Sequence, residues 1–169
     1  MNKEDLNGIL KYEYNRIKDS GILDFGIEIN FKEKEEKKED QKEEENKKEE
    51  KEKDNKDYTI WEIIMTAPED SEYNGGKYTI IAKFPLDYPM ENPKFTFETE
   101  IYHCNVDKKN NLKVNWLMKG MKMEYILPRL LTLFYLQDPN VDENDEKCIL
   151  YKNNYDKFKE NIKKSIKEQ

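Results

Sequence analysis

Apolar residues recur at Leu6, Ile9, Leu10 and Ile17, with Gly21 as a stop signal behind them. This spacing predicts an amphipathic helix over 3–19 whose other face carries Lys11, Arg16 and Lys18. The period then shortens. GIEINF (26–31), DYTIWEIIMT (57–66), GKYTIIAKF (76–84) and PKFTFET (93–99) are rich in β-branched and aromatic residues and read as four strands. Turn signals separate the later ones: Pro68 to Asp70, Asn74-Gly75-Gly76, and the stretch from Pro85 to Pro93. Residues 100–125 show no strong period. ILPRLLTLFYLQ (126–137) is almost continuously apolar and predicts a buried central helix, with Pro128 placed in its first turn. Two further helices follow over 143–167, the last with Tyr155, Phe158, Ile162 and Ile166 on one stripe. Helix, strands, then helices is an α+β order with an antiparallel meander.

A charged run breaks this pattern between the first and second strands. From Lys32 to Asp57 all 26 residues are Lys, Glu, Asp, Asn or Gln, 13 of them acidic and 10 basic. With nothing apolar to bury, such a segment cannot offset its ordering entropy, so it reads as a solvated insertion, with at most transient helix from Glu–Lys pairs. Closure entropy grows slowly with loop length, which makes a hairpin tip a tolerant place for it. The expected organisation is one domain, 1–169, interrupted at 32–57.

The run also explains the composition, 40% charged and 36% hydrophobic. The net charge of -7 is shared by both parts and forms no basic patch, which argues against nucleic acid and anionic membrane surfaces as partners. No apolar stretch approaches the ~18 residues of a membrane span, and MNKEDLNGIL lacks the features of a secretory signal. The expected location is cytoplasmic, nuclear or both. Cys104 and Cys148 fit no zinc or redox spacing and are expected as free thiols. His103 is the only histidine; no Ser or Asp pattern near it supports a triad, and no cofactor is expected.

The chemistry-bearing words lie in the middle of the chain. Ala67-Pro68-Glu69-Asp70-Ser71-Glu72-Tyr73-Asn74-Gly75-Gly76, Phe84-Pro85-Leu86-Asp87-Tyr88-Pro89, Thr99-Glu100-Ile101-Tyr102-His103-Cys104-Asn105 and Asp138-Pro139-Asn140 occur in that order. Together they resemble the anchors of the ubiquitin-conjugating enzymes over residues 3–167, leaving out the charged run. The resemblance implies the UBC fold: an N-terminal helix, a four-stranded antiparallel meander, a central helix and two C-terminal helices. Its implied partners are ubiquitin or a ubiquitin-like modifier, an activating enzyme, a ligase, or an active conjugating enzyme. The wording around Leu112-Lys113-Val114-Asn115-Trp116-Leu117 is similar to the conjugating enzyme of the neddylation pathway.

Three departures from the family matter. Its catalytic cysteine stands ten positions after the motif histidine, and here that position is Lys113. A thiolate attacks well and a thiol leaves well, whereas an amine forms a stable amide; Lys113 is at most a dead-end acceptor. The proline of the His-Pro-Asn motif is Cys104, which frees a backbone torsion and is expected to loosen the loop aiming Asn105. The family's Trp-Ser-Pro loop is replaced by Met118-Lys119-Gly120-Met121-Lys122-Met123.

The resemblance implies binding roles for Met90 and Met121 on the ligase-facing loops and for Lys11, Arg16 and Lys18. In the family, the motif asparagine orders the loop or stabilises an oxyanion; Asn105 holds that position. Cys104 is the alternative nucleophile, set against a reading as a buried neutral thiol, and Cys148, Trp61 and Tyr73 read as packing. His103 reads as a structural loop residue. Asp142 and Glu143 fall near the acid with which the family readies an incoming lysine, although acids in a polar turn are usually just solvated. The leading expectation is an inactive conjugating-enzyme homologue serving as a binding or scaffolding partner. An active thioester carrier using Cys104, or else Cys148, is the alternative, and an interaction module recruiting through the charged run is a third. The family's known inactive variants usually lack the last two helices, which this chain is expected to keep.

Overall fold

The computed structural model describes residues 1–33 and 55–169. Helix α1 (Lys3–Asp19) opens with a capping box in which the Asn2 side chain accepts from the Asp5 N–H and the Asp5 carboxylate accepts from the Asn2 N–H. A 3-10 turn (Ile22–Phe25) leads to β1 (Ile27–Glu33), β2 (Lys56–Thr66), β3 (Lys77–Lys83) and β4 (Lys94–Phe97). These form one antiparallel sheet in chain order, β1-β2-β3-β4. Helices α2 (Met123–Thr132), α3 (Glu146–Asn153) and α4 (Tyr155–Lys167) complete the chain. This is the α+β architecture expected from the sequence. Among the described residues no helix is long and apolar enough to cross a membrane.

Alternation decides which sheet face is covered. In β2, Trp61, Ile63 and Met65 are buried, while Ile60, Glu62 and Ile64 between them are half-exposed. The core continues through Tyr78, Ile80, Phe95 and Phe97 into α1 and α2. Tyr14, Phe31, Tyr58 and Trp61 pack ring against ring, with centroids 4.5 to 6.1 Å apart, and so clamp the root of the β1–β2 hairpin.

Three boundaries and one buried position differ from the sequence reading. First, the hairpin extends into the charged run: after a register shift at Phe31/Lys32, Lys32 pairs with Asp57 and Glu33 with Lys56. Backbone ladder bonds, together with the Lys3 Nζ–Asp57 Oδ2 contact of 2.8 Å, hold these residues without apolar burial. The rest of the expected insertion, 34–54, lies outside the described residues.

Second, α2 begins at Met123 rather than 126, so Pro128 sits inside the helix, not in its first turn. Third, α2 ends at Thr132, and residues to Leu136 continue as turns through bonds such as Phe134 N–H to Leu131 O (3.2 Å) and Leu136 N–H to Thr132 O (2.9 Å). Fourth, Ile9 is 38% exposed, and Glu13 takes its expected place in the buried face with Leu6, Leu10 and Ile17.

Candidate functional site

Residue 113 is placed by its backbone. The Lys113 N–H donates to the Asn105 carbonyl at 2.7 Å, and Asn105 Nδ2 donates to the Lys113 carbonyl at 3.0 Å. Asn105 Oδ1 accepts from the Asp138 N–H at 2.9 Å. One buried amide thus joins the loop after β4, the segment carrying Lys113, and the turn that follows α2. Both of its polar ends are engaged, as a buried amide requires.

His103 supports the same loop from beneath. Its ring is wholly buried; Nδ1 accepts the Asn105 N–H at 2.9 Å, and Nε2 lies 2.8 Å from the Leu133 carbonyl. This fixes the neutral tautomer with the proton on Nε2. Burial drives its pKa down to about 4. The ring also stacks against Tyr73, whose hydroxyl donates to the Tyr102 carbonyl at 2.8 Å and accepts from Gln137 Nε2 at 2.8 Å.

Cys104, expected to loosen the loop, is tied by its backbone to the segment after α2. Its N–H, which a proline would lack, donates to Gln137 Oε1 at 2.9 Å. Its side chain is 3% exposed, and burial pushes the thiol pKa well up. Cys148 is fully buried, with Sγ 3.6 Å from the Cys104 carbonyl, and its thiol is likewise raised by burial. Trp61 is buried, its Nε1–H donating to the Tyr58 carbonyl at 2.7 Å.

The Lys113 side chain is half-exposed and lies 3.8 Å from Asp107 Oδ2. Burial alone would raise the Asp107 carboxyl, but N–H donors of Asn111 and Lys109 together with Lys113 bring it below its ordinary value. Lys113 opens onto a shallow hollow of ≈ 450 Å³ also lined by Asp107, Lys108, Lys109, Asp142, Asn144 and Asp145. Asp142 therefore shares the hollow with Lys113. Glu143 is not among its lining residues; its carboxylate is 4.0 Å from Lys152 Nζ. Lys147, just beyond, donates through Nζ to the Val106 carbonyl. Among the described residues no cluster of His, Cys, Asp or Glu could hold a metal ion.

The expected binding residues form a second group. Met90 is 67% exposed on the loop after β3, and Met121 is half-buried on the loop before α2. The two loops are tied by Gly120 N–H to Pro89 O (2.7 Å) and Asn92 Nδ2 to Leu117 O (3.1 Å). Gly120 adopts φ 84°, a left-handed conformation that favours glycine. Arg16 pairs with Glu124 of α2 at 3.0 Å, Lys18 lies over the Tyr14 ring, and Lys11 is exposed on α1. Exposed Tyr12, Met118 and Tyr125 lie on the same elements.

Three residues with polar partners here escaped the sequence reading. Gln137 gave no local signal, because its partners Cys104 and Tyr73 are distant in sequence; Asp107 meets Lys109, Asn111 and Lys113 within its own stretch of chain, a turn in a segment whose period is too weak to give a signal. Glu13 did give one: it stands seven positions after Leu6 and four before Ile17, on the apolar stripe itself.

A family model described as "Ubiquitin-conjugating enzyme" matches residues 32–166. Among curated proteins, the chain is 36% identical over 104 residues to a probable ubiquitin-conjugating enzyme E2 31 of Arabidopsis thaliana, covering 58% of this chain and 66% of that one. It is 39% identical over 88 residues to ubiquitin-conjugating enzyme E2 14 of Schizosaccharomyces pombe, covering 49% and 56%. To a probable ubiquitin-conjugating enzyme E2 7 of Caenorhabditis elegans it is 29% identical over 132 residues, covering 67% and 79%. The chain thus spans less than two thirds of the length of the first two relatives.

Proposed function

From the premise that this chain belongs to the ubiquitin-conjugating enzyme family, we propose that it is a catalytically inactive member that binds or scaffolds within ubiquitin or ubiquitin-like conjugation. One observation carries the reading: Lys113 stands in the backbone clamp of Asn105, where the family's motif places the carrier cysteine. An acyl carrier must accept its cargo as a thioester and release it to an amine; the lysine amine would hold it as an amide. The two thiols of the chain do not replace it, since both are buried and held in the neutral form.

The face built by α1, Met90 and the 118–122 loop is the surface offered to a ligase, an activating enzyme or an active conjugating enzyme. Retention of α3 and α4 sets the chain apart from the family's shorter inactive variants. We assign it to a single domain in the cytoplasm or nucleus. The neddylation-type wording from Leu112 to Leu117 makes that pathway's modifier the first to test, beside ubiquitin.

The test is a charging reaction with activating enzyme, ATP and modifier, resolved on a non-reducing gel. The wild-type chain is expected to give no thiol-sensitive adduct, and Lys113→Cys to gain one. A reducible wild-type adduct lost on Cys104→Ser would instead establish an active carrier. An adduct resistant to thiol and lost on Lys113→Arg would mark Lys113 as a dead-end acceptor.

A further inference from the structure

Glu13 is the buried carboxyl that the clamp around residue 113 does not use. It is 5% exposed on the inner face of α1. Its Oε2 accepts from the Tyr88 hydroxyl at 2.7 Å and from the Met123 N–H at 3.1 Å. The Met123 N–H also lies 3.1 Å from the Tyr88 hydroxyl oxygen, closing a three-way junction. Met123 is the first residue of α2, and the residue at the helix cap position, Lys122, supplies no side-chain cap. The N–H groups of a helix's first turn have no partner within the helix. Here one of them is satisfied by a side chain from 110 residues earlier in the chain.

We propose that Glu13 is the positioning residue of the exposed face, an external cap that locks the start of α2 and the loop before it against α1. Three elements meet at its carboxylate: α1 with Tyr12 and Arg16, the 85–92 loop with Tyr88 and Met90, and the 118–123 segment with Met118 and Met121. The loops are already joined to each other through Gly120 and Pro89. The second tie between α1 and α2, Arg16 to Glu124, is a partly exposed ion pair, which screens readily and contributes little. Glu13 is therefore the fixed point of the junction.

The carboxyl is also titratable. Burial raises its pKa above the ordinary glutamate value, against the Tyr88 and Met123 hydrogen bonds and the Lys122 charge, which lower it; Glu124 adds to the rise. Arg16, on the same helix as Glu13, is engaged by Glu124. When the proton is present on the carboxyl, its carbonyl oxygen still accepts from both donors, but without charge assistance. Glutamine reproduces that state: it keeps the acceptor and removes the ionisation.

The test uses the free full-length chain, so its result stands apart from the charging experiment and from any partner. NMR follows the Met123 amide and the methyl groups of Met90, Met118 and Met121 between pH 4 and 7, with amide exchange, in wild type, Glu13→Gln and Glu13→Ala. The wild-type signals are expected to move together, with one midpoint above the ordinary glutamate value. Glu13→Gln is expected to abolish that midpoint while keeping Met123 protected. Glu13→Ala is expected to speed exchange at Met123 about five- to tenfold, as for a lost helix cap, with β2 and β3 unchanged. Signals that do not titrate, or a midpoint that persists in Glu13→Gln, would overturn the proposal. So would a Glu13→Gln chain whose Met123 exchanges as fast as in Glu13→Ala. If Glu13→Ala does not fold, the wild-type and Glu13→Gln titrations still decide the question.

Discussion

Asn105 and Lys113 hold each other through two hydrogen bonds, Lys113 N–H to Asn105 O at 2.7 Å and Asn105 Nδ2 to Lys113 O at 3.0 Å. The pairing fixes the backbone of residue 113 whatever side chain it carries. That separates the architecture of the site from its chemistry: a lysine can occupy the position without disturbing the frame around it.

Asn105→Ala is expected to destabilise the chain by about 1–2 kcal/mol, because the Asp138 N–H and the Lys113 carbonyl lose their partner in a part-buried place. Asn105→Asp should also be costly: the acid keeps an acceptor for Asp138 but loses the donor to Lys113. Urea denaturation of both variants checks this, and a wild-type midpoint for Asn105→Ala would show that the clamp is dispensable.

The two cysteines are expected to resist alkylation in the native state. Both are buried and their thiolates disfavoured, so labelling should wait for opening of the fold. Mass spectrometry after a timed iodoacetamide pulse should show little native modification and two adducts in denaturant. Prompt single labelling at Cys104 would place its thiol at the surface.

Acid should weaken the fold through His103. Its folded pKa of about 4 lies below the ordinary 6.5, so its contribution is fully present above 6.5 and is lost as pH falls through 4. The difference is on the order of 3 kcal/mol. Glu13 has the opposite sign: its raised value gives a contribution present below the ordinary glutamate pKa and lost as pH rises through the folded one. Stability measured from pH 7 to pH 4 should therefore fall in wild type. In Glu13→Gln the fall should be steeper, because the opposing Glu13 contribution is gone. A flat profile in Glu13→Gln, where nothing from Glu13 offsets it, would mean that His103 is not buried neutral.

Gly76→Ala is expected to cost about 1–3 kcal/mol. A Cβ built at Gly76 would meet Tyr78 Cε2 and its hydroxyl oxygen at 2.5 Å, and Tyr78 is itself fully buried. Thermal unfolding should show the loss. Gly8, on the exposed side of α1 with nothing within 4 Å, is the control: Gly8→Ala should be neutral or stabilising by roughly 1 kcal/mol.

Period and punctuation in the sequence determined α1, the four strands and their order, because each element depends on which residues recur on one face and on where Gly and Pro interrupt them. The expectation that Lys113 stands where the family carries its cysteine rests on the same kind of signal, since a motif's spacing survives in one dimension. The tertiary structure alone decided the rest. It turned the N–H of Cys104 into a bond to Gln137, put Asp142 in the same hollow as Lys113, and brought Glu13 to the first N–H of α2. Local pattern records whether a residue faces inward, but not what it meets there. A polar group taken out of water must find a partner, and here the partners come from segments that only folding brings together.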